Sequence, residues 1–242
     1  EDAMERVVPR PHVASTRQHG QTAIHGRPSR VIGHSRGLEG GGVRRGFSMT
    51  GQKKRVCVTG ASGFIASHMI PALLYAGYTV TGIDTREHEL ASHPDLTFLQ
   101  QNISRLRSLA GFDYVIHLAF ATNIPNSIRH PLRTTFNNVD LSVRMLELAK
   151  QAGVKKFIFP STASLYDSQP TPWIESLPVY PSEPYSLQKY ATERFCTYYA
   201  QNGLPTVIFR LFQVFGERQR PDTALAKFFQ CRKENKPIPI TQ

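Results

Sequence analysis

From Arg55 onward, short apolar and β-branched runs alternate with longer stretches of helical period. Runs at 55–59, 79–83, 96–99, 113–118, 155–160 and 206–210 predict strands, and 64–76, 133–152, 184–202 and 222–235 predict helices. Val115-Ile116 and Phe157-Ile158-Phe159 are apolar at successive positions, the pattern of strands covered on both faces. Strands that alternate with helices pair in parallel through right-handed crossovers. The expectation is therefore an α/β fold built on a doubly wound parallel sheet, with no internal repeat.

Residues 1–54 break this pattern. They are rich in Gly, Arg, His and Ser, hold prolines at 9, 11 and 28, and show no sustained period, so a disordered basic extension is expected there. Met49 followed by Thr-Gly-Gln-Lys-Lys reads as a natural start, so removing residues 1–48 is expected to leave folding unchanged. An Arg-rich organelle transit peptide is opposed by the acidic start Glu1-Asp2.

The formal net charge is +11, but residues 1–54 alone carry ten basic against four acidic side chains. More than half of the excess thus lies outside the patterned region, and without interleaved aromatics it does not mark a nucleic-acid surface. What remains suits a site for anionic phosphates. No apolar stretch approaches the roughly 20 residues that cross a bilayer, so no membrane association is expected. Cys57, Cys196 and Cys231 are far apart and lack metal-ligand spacing, which points to a reducing, cytoplasmic setting with neither disulfide framework nor metal site.

Candidate chemistry clusters at two places. In Thr59-Gly60-Ala61-Ser62-Gly63-Phe64-Ile65-Ala66, a buried strand runs into a glycine turn and then a helix. Gly60 permits the tight turn, Gly63 lets amides approach a pyrophosphate, small Ala66 allows close packing, and the helix amino terminus favours phosphate. Asp84 follows about 20 residues on, where a carboxylate accepts the ribose hydroxyls of NAD and repels a 2′-phosphate. Arg86, two residues beyond, is the group that would instead pair with such a phosphate. The second place is Tyr185 and Lys189, four apart and hence on one helix face. A cation near a phenol favours the phenolate, which makes the pair a candidate proton switch at neutral pH.

Taken in order, these segments resemble the extended short-chain dehydrogenase/reductase family, in its NAD-dependent nucleotide-sugar epimerase/dehydratase branch, and most resemble UDP-sugar 4-epimerases. The glycine loop is similar to TGxxGxxG with alanine last, and His117-Leu118-Ala119-Phe120-Ala121 to an HLAA segment. Asn137-Asn138-Val139 resembles a structural asparagine motif, Ser161-Thr162-Ala163-Ser164-Leu165-Tyr166 an active-site serine segment, and Tyr185-Ser186-Leu187-Gln188-Lys189 YxxxK. The resemblance implies a Rossmann-like fold with NAD held by Gly60, Ser62, Gly63, Phe64, Ile65, Asp84, Asn102, Ile103, Leu118, Ala119, Tyr185 and Lys189. It implies Tyr185 as acid/base, Lys189 as the group that lowers its pKa, and Thr162, four residues before Tyr166, as the partner of the substrate hydroxyl. Asn102 stands where the family carries an adenine-contacting aspartate. A homodimer is the assembly the resemblance suggests.

The same comparison narrows the reaction. Dehydratases of the branch place an acid and a base next to the serine equivalent, and Ala163 and Ser164 occupy those positions here. An epimerase that oxidises the sugar 4-hydroxyl and returns the hydride to the opposite face needs neither. A ketoreductase, a dehydratase or an inactive NAD-binding protein are the alternatives. The stretch from Arg210 to Asp222 resembles RxxxVYGPRQRPD, which implies that Gln213, Arg218 and Arg220 contact a nucleotide-diphosphate sugar. Residues 55–215 are expected to form the dinucleotide-binding domain, and 216–242 the start of a substrate domain truncated at Gln242.

Overall fold

A computed structural model describes residues 52–88 and 90–238. Of the extension expected over residues 1–54, positions 1–51 lie outside the described residues, as do residue 89 and the last four positions.

Six strands, β1 (Arg55–Thr59), β2 (Thr79–Asp84), β3 (Leu96–Gln100), β4 (Tyr114–His117), β5 (Lys156–Thr162) and β6 (Thr206–Leu211), form one sheet. Its order is β3-β2-β1-β4-β5-β6 and every pairing is parallel. From the central pair β1 and β4 the chain lays strands outward in opposite directions across the sheet, β2 and β3 to one side and β5 and β6 to the other. In open parallel sheets that switch opens a crevice at the carboxyl ends of the strands, where ligands bind.

Side chains alternate across the sheet and meet helices on both faces. Val56, Val58, Val80 and Ile116 pack with Ala66 and Ile70 of helix α1 (Phe64–Tyr75) on one face. Cys57, Val115, Phe157 and Phe159 pack on the other against Met145 and Leu146 of the helix Leu141–Gln151 and Cys196 and Tyr199 of the helix Pro184–Gln201. The doubly wound architecture is thus present, with strand positions within two residues of those read from the pattern.

The helical stretch expected at 133–152 is not one helix. A short helix α2 (Ile124–Arg129) precedes it, capped by Asn123 and carrying Pro125 in its first turn. Pro131 then opens α3 (Pro131–Thr135), a π-helical turn spans Phe136–Asp140, and α4 (Leu141–Gln151) follows. The turn widens because the Leu141 amide reaches back five residues to the Phe136 carbonyl, while Asn138 is drawn into the interior by hydrogen bonds described below. The remaining helices are α5 (Pro184–Gln201) and α6 (Ala224–Lys233). No helix among the described residues is long and apolar enough to cross a membrane.

Candidate active site

The carboxyl ends of β1, β2, β4, β5 and β6 open on a single cleft of about 690 Å³, in the size range of cofactor sites. All twelve positions expected to hold a dinucleotide line it, as do Thr162, Arg218 and Arg220. Gln213 does not. Its neighbours Phe212 and Val214 line the cleft, and Gln213 is exposed outside that lining, so the structure does not bring it together with the other expected site residues.

At the β1 end, Gly60 has φ +70, and a Cβ there would sit 2.7 Å from the Ala119 amide nitrogen and the Leu118 carbonyl carbon. Only glycine allows the loop to lie against the end of β4. The first turn of α1 behind it has no side-chain cap and no acidic residue, so its amides remain available to an anion. Asp84 is held rigidly at the tip of β2. One carboxylate oxygen accepts from the Ser62 amide at 3.0 Å, the other from the Arg86 amide at 3.0 Å. The Arg86 guanidinium folds back to donate to the Ser62 carbonyl at 3.1 Å. Asn102 uses its side-chain oxygen to cap the turn Ile103–Arg105 through the Ser104 amide, at 2.9 Å.

These features fit a dinucleotide. The glycine cradle excludes a side chain where a pyrophosphate would pass, and the only cleft-lining carboxylate, among the described residues, is Asp84 at the tip of β2, where it could accept from ribose hydroxyls. Two buried polar atoms on the same cleft, the Ser161 hydroxyl and the Gln219 side-chain oxygen, have no hydrogen-bond partner in the protein.

At the β5 end, Tyr185 and Lys189 rise from the first turns of α5. Glu183 fixes that start: its carboxylate accepts from the Tyr185 amide at 2.7 Å and the Ser186 amide at 2.8 Å, and Ser186 returns a hydrogen bond to the Glu183 backbone. A capping box thus locks the turn that presents the phenol. The Lys189 ammonium donates to the Pro160 carbonyl at 2.6 Å and lies 3.8 Å from the Phe120 ring centre and 4.5 Å from that of Phe159. Thr162 ends β5, and its hydroxyl both donates to the Ser164 hydroxyl and accepts from the Ser164 amide, each at 3.1 Å.

The electrostatics depart from expectation. The i, i+4 spacing casts Lys189 as the charge that draws the phenol toward neutrality, yet burial holds Tyr185 above its ordinary value, with Glu183 adding to the rise. Thr162 and Arg220 are the neighbours that favour the phenolate. Lys189 is itself pulled from 10.5 down to about 7 by burial, against the weaker pull of Cys196 and Glu193. Tertiary burial outweighs the pairwise effect that the i, i+4 spacing suggests.

Several site-forming residues escaped the sequence reading. Phe120 was visible only as a departure from HLAA. Arg210, within the stretch read as substrate-facing, instead turns inward: it holds the Glu193 carboxylate through two nitrogens, at 2.8 and 3.0 Å, and donates to the Tyr166 hydroxyl at 2.6 Å. Such a fork joins β6, α5 and the turn after β5.

Comparisons with known proteins agree with this geometry. A family profile described as "NAD dependent epimerase/dehydratase family" matches residues 56–242. An uncharacterized UDP-glucose epimerase of Bacillus subtilis (strain 168) is 32% identical over 206 residues, covering 77% of this chain and 65% of the relative. A human dTDP-D-glucose 4,6-dehydratase is 32% identical over 204 residues, covering 77% of this chain and 58% of that protein. Among solved structures, a UDP-glucuronic acid 4-epimerase from Bacillus cereus, in complex with UDP-glucuronic acid and NAD, superposes with a TM-score of 0.70 at 32% identity. That match covers 76% of this chain and 64% of the other. The chain therefore spans less than two thirds of the length of these relatives.

Proposed function

Since this chain belongs to the NAD-dependent epimerase/dehydratase family, we propose that it inverts the 4-carbon of a nucleotide-diphosphate sugar, with Tyr185 as acid/base. One observation carries the choice among the family's reactions. Asp84 is the single carboxylate among the described residues that line the cleft, and it stands three strands away from β5, roughly 14 Å in sheet spacing. Ala163 has no ionisable group, and Ser164 carries only a hydroxyl, which accepts from Thr162 and is a far weaker acid and base than a carboxyl group. Elimination of water, as in the dehydratase relatives, would lack an acid and a base beside the sugar.

In this reading the redox chemistry at the sugar carbon is supplied by bound NAD. Gly60, Ser62, Gly63, Phe64, Ile65, Asp84, Asn102, Ile103, Leu118, Ala119, Tyr185 and Lys189 hold it, with Asp84 selecting it over the 2′-phosphorylated form. Thr162 orients the substrate hydroxyl, and the Tyr185 oxygen takes its proton. Arg220, Thr162 and the positive end of α5 all favour the phenolate needed for that step. The raised resting pKa suits the return step, in which the phenol gives the proton back. Arg218 and Arg220 pair with the substrate's diphosphate. We read residues 216–238 as belonging to the substrate side of the site and 55–215 as the dinucleotide-binding part.

The test is incubation with NAD and UDP-glucose, UDP-glucuronate or their N-acetyl relatives, following 4-position stereochemistry by NMR. Interconversion of a 4-epimer pair supports the reading. Absence of interconversion with NAD shown to be bound, or appearance of a 4-keto-6-deoxy sugar, would overturn it. Tyr185→Phe is expected to lower turnover at least 100-fold, in line with loss of a general acid/base, while NAD affinity is retained.

A further inference from the structure

Phe120 occupies the place where the HLAA segment has alanine, and its surroundings give it a defined task. The residues on either side are pinned. The Ala119 amide donates to the Thr59 hydroxyl at 3.2 Å, and Ala121 exchanges two hydrogen bonds with the Asn138 side chain, at 2.7 and 3.1 Å. Its ring is thereby fixed between two catalytic candidates. It meets the Tyr185 ring edge-on, with centroids 6.1 Å apart at 80°, and presents its face to the Lys189 ammonium at 3.8 Å. Phe159 closes the ammonium from a second side, 4.5 Å from its ring centre, and the ring centres of the two phenylalanines lie 5.9 Å apart.

We propose that Phe120 is a positioning residue: with Phe159 and the Pro160 carbonyl it forms a cage that favours the charged form of Lys189 against burial and holds it aligned with Tyr185. The proposal rests on the reading of Tyr185 and Lys189 as the acid/base pair, and names what governs the second of them. The physical case is a conflict of two terms. Burial disfavours the ammonium, whereas a desolvated aromatic face attracts it. The other titratable groups facing Lys189 are Glu193, Cys196 and, one turn earlier, Tyr185 on α5, and His117 on β4. Glu193 is engaged by Arg210, Cys196 is held protonated by burial, and His117 is neutral. With Glu193 shared with Arg210, the ring faces and the Pro160 carbonyl are the uncharged groups in contact with the ammonium that help to retain its charge.

Phe120→Leu keeps an apolar side chain and removes the ring face, and Phe120→Tyr keeps the ring. The Lys189 pKa is read by carbon NMR of protein labelled at lysine Cε, with Lys189→Met assigning the signal. The leucine variant is expected to titrate about one unit lower than the parent, the size of a desolvated cation–π contact. The tyrosine variant should stay close to the parent. Should the leucine variant fail to fold, Phe120→Met is expected to give the same downward shift. An unchanged Lys189 pKa in a folded ring-less variant, or an equal shift in the tyrosine variant, overturns the proposal. The readout needs no turnover: the predicted shift in a protein that leaves every nucleotide sugar untouched supports the cage and rejects the epimerase reading. Epimerase activity with no shift does the reverse.

Discussion

Replacing Lys189 by Met should make the fold more stable near neutral pH relative to the parent than it does in alkali, and the size of the change follows from the site. Burial takes Lys189 from 10.5 to about 7. Between those values the unfolded chain keeps a proton that the folded chain has released, so parent stability rises with pH through that window. Below about pH 7 both states are charged and the full burial cost is present. From pH 6 to pH 9 the folded lysine releases its proton over about two units while the unfolded one does not, which at 1.36 kcal/mol per unit gives about 2–3 kcal/mol. This is an upper bound, because water penetration softens the cost of a buried charge. Methionine also abandons the Pro160 carbonyl, at about 1–3 kcal/mol, but that loss is independent of pH. Contributions from Cys57 and Cys196, both raised to about 12, are common to the two proteins and largely cancel. Urea unfolding of parent and variant at pH 6, 7.5 and 9 measures the gap. Narrowing of the variant's relative advantage by about 2–3 kcal/mol supports the reasoning, and parallel pH curves with equal slopes would refute it.

Other perturbations follow from named contacts. Gly60→Ala forces a Cβ to within 2.7 Å of the end of β4 at φ +70, so NAD affinity by calorimetry should fall at least tenfold with a lower thermal midpoint; parental affinity would show that the loop relaxes freely. Glu193→Ala leaves Arg210 without its buried partner, and a loss of about 3–5 kcal/mol in urea unfolding is expected, against less than half of that for Glu193→Gln. A loss under 1 kcal/mol for the alanine variant would mean that Arg210 finds water instead.

The strands were legible because each is a short apolar or β-branched run, and the central ones are apolar on consecutive residues. Loops at their carboxyl ends inherit a common location, which is why the glycine turn, Asp84, Thr162 and the Tyr185 helix converge on one cleft. What escaped was tertiary. Helix α2 is only six residues long, too short to display a period, although Asn123 before Ile124-Pro125 is a capping signal. The π-helical turn depends on where Asn138 finds partners, which lie far away in the chain. Gln213 was placed by motif position, yet the backbone turns Phe212 and Val214 to the cleft in its stead. The protonation balance of Tyr185 and Lys189 depends on how dry their site is, and residue spacing carries no information about dryness.

The buried polar groups beneath the cleft have a directional logic that bears on how the site keeps its shape. Burial holds His117 neutral, with its pKa lowered from 6.5 to about 3, and the Lys189 charge adds to the depression. The Ala119 amide donates to the Thr59 hydroxyl, which approaches His117 Nδ1 at 2.7 Å, and His117 Nε2 lies 2.9 Å from the Ser142 hydroxyl. Ser142 spends its proton on the Asn138 carbonyl. Its oxygen must then accept, so His117 donates from Nε2 and receives the Thr59 proton at Nδ1. Asn138 in turn donates to Gln188 at 2.7 Å, and Gln188 donates to Thr134 and Thr135 at 3.0 Å. Gln188 adjoins Lys189 on α5. Hydrogen bonds of fixed direction thus run from Thr59 through His117 and Ser142 to the Asn138 carbonyl, and the Asn138 side chain carries the connection on to Gln188, beside Lys189. Protonating His117 would give Thr59 a donor where it now meets an acceptor and break the chain at its centre. The low pKa is therefore what lets one hydrogen-bond pattern, and with it one spacing between the glycine loop and the Tyr185/Lys189 turn, persist across the neutral range.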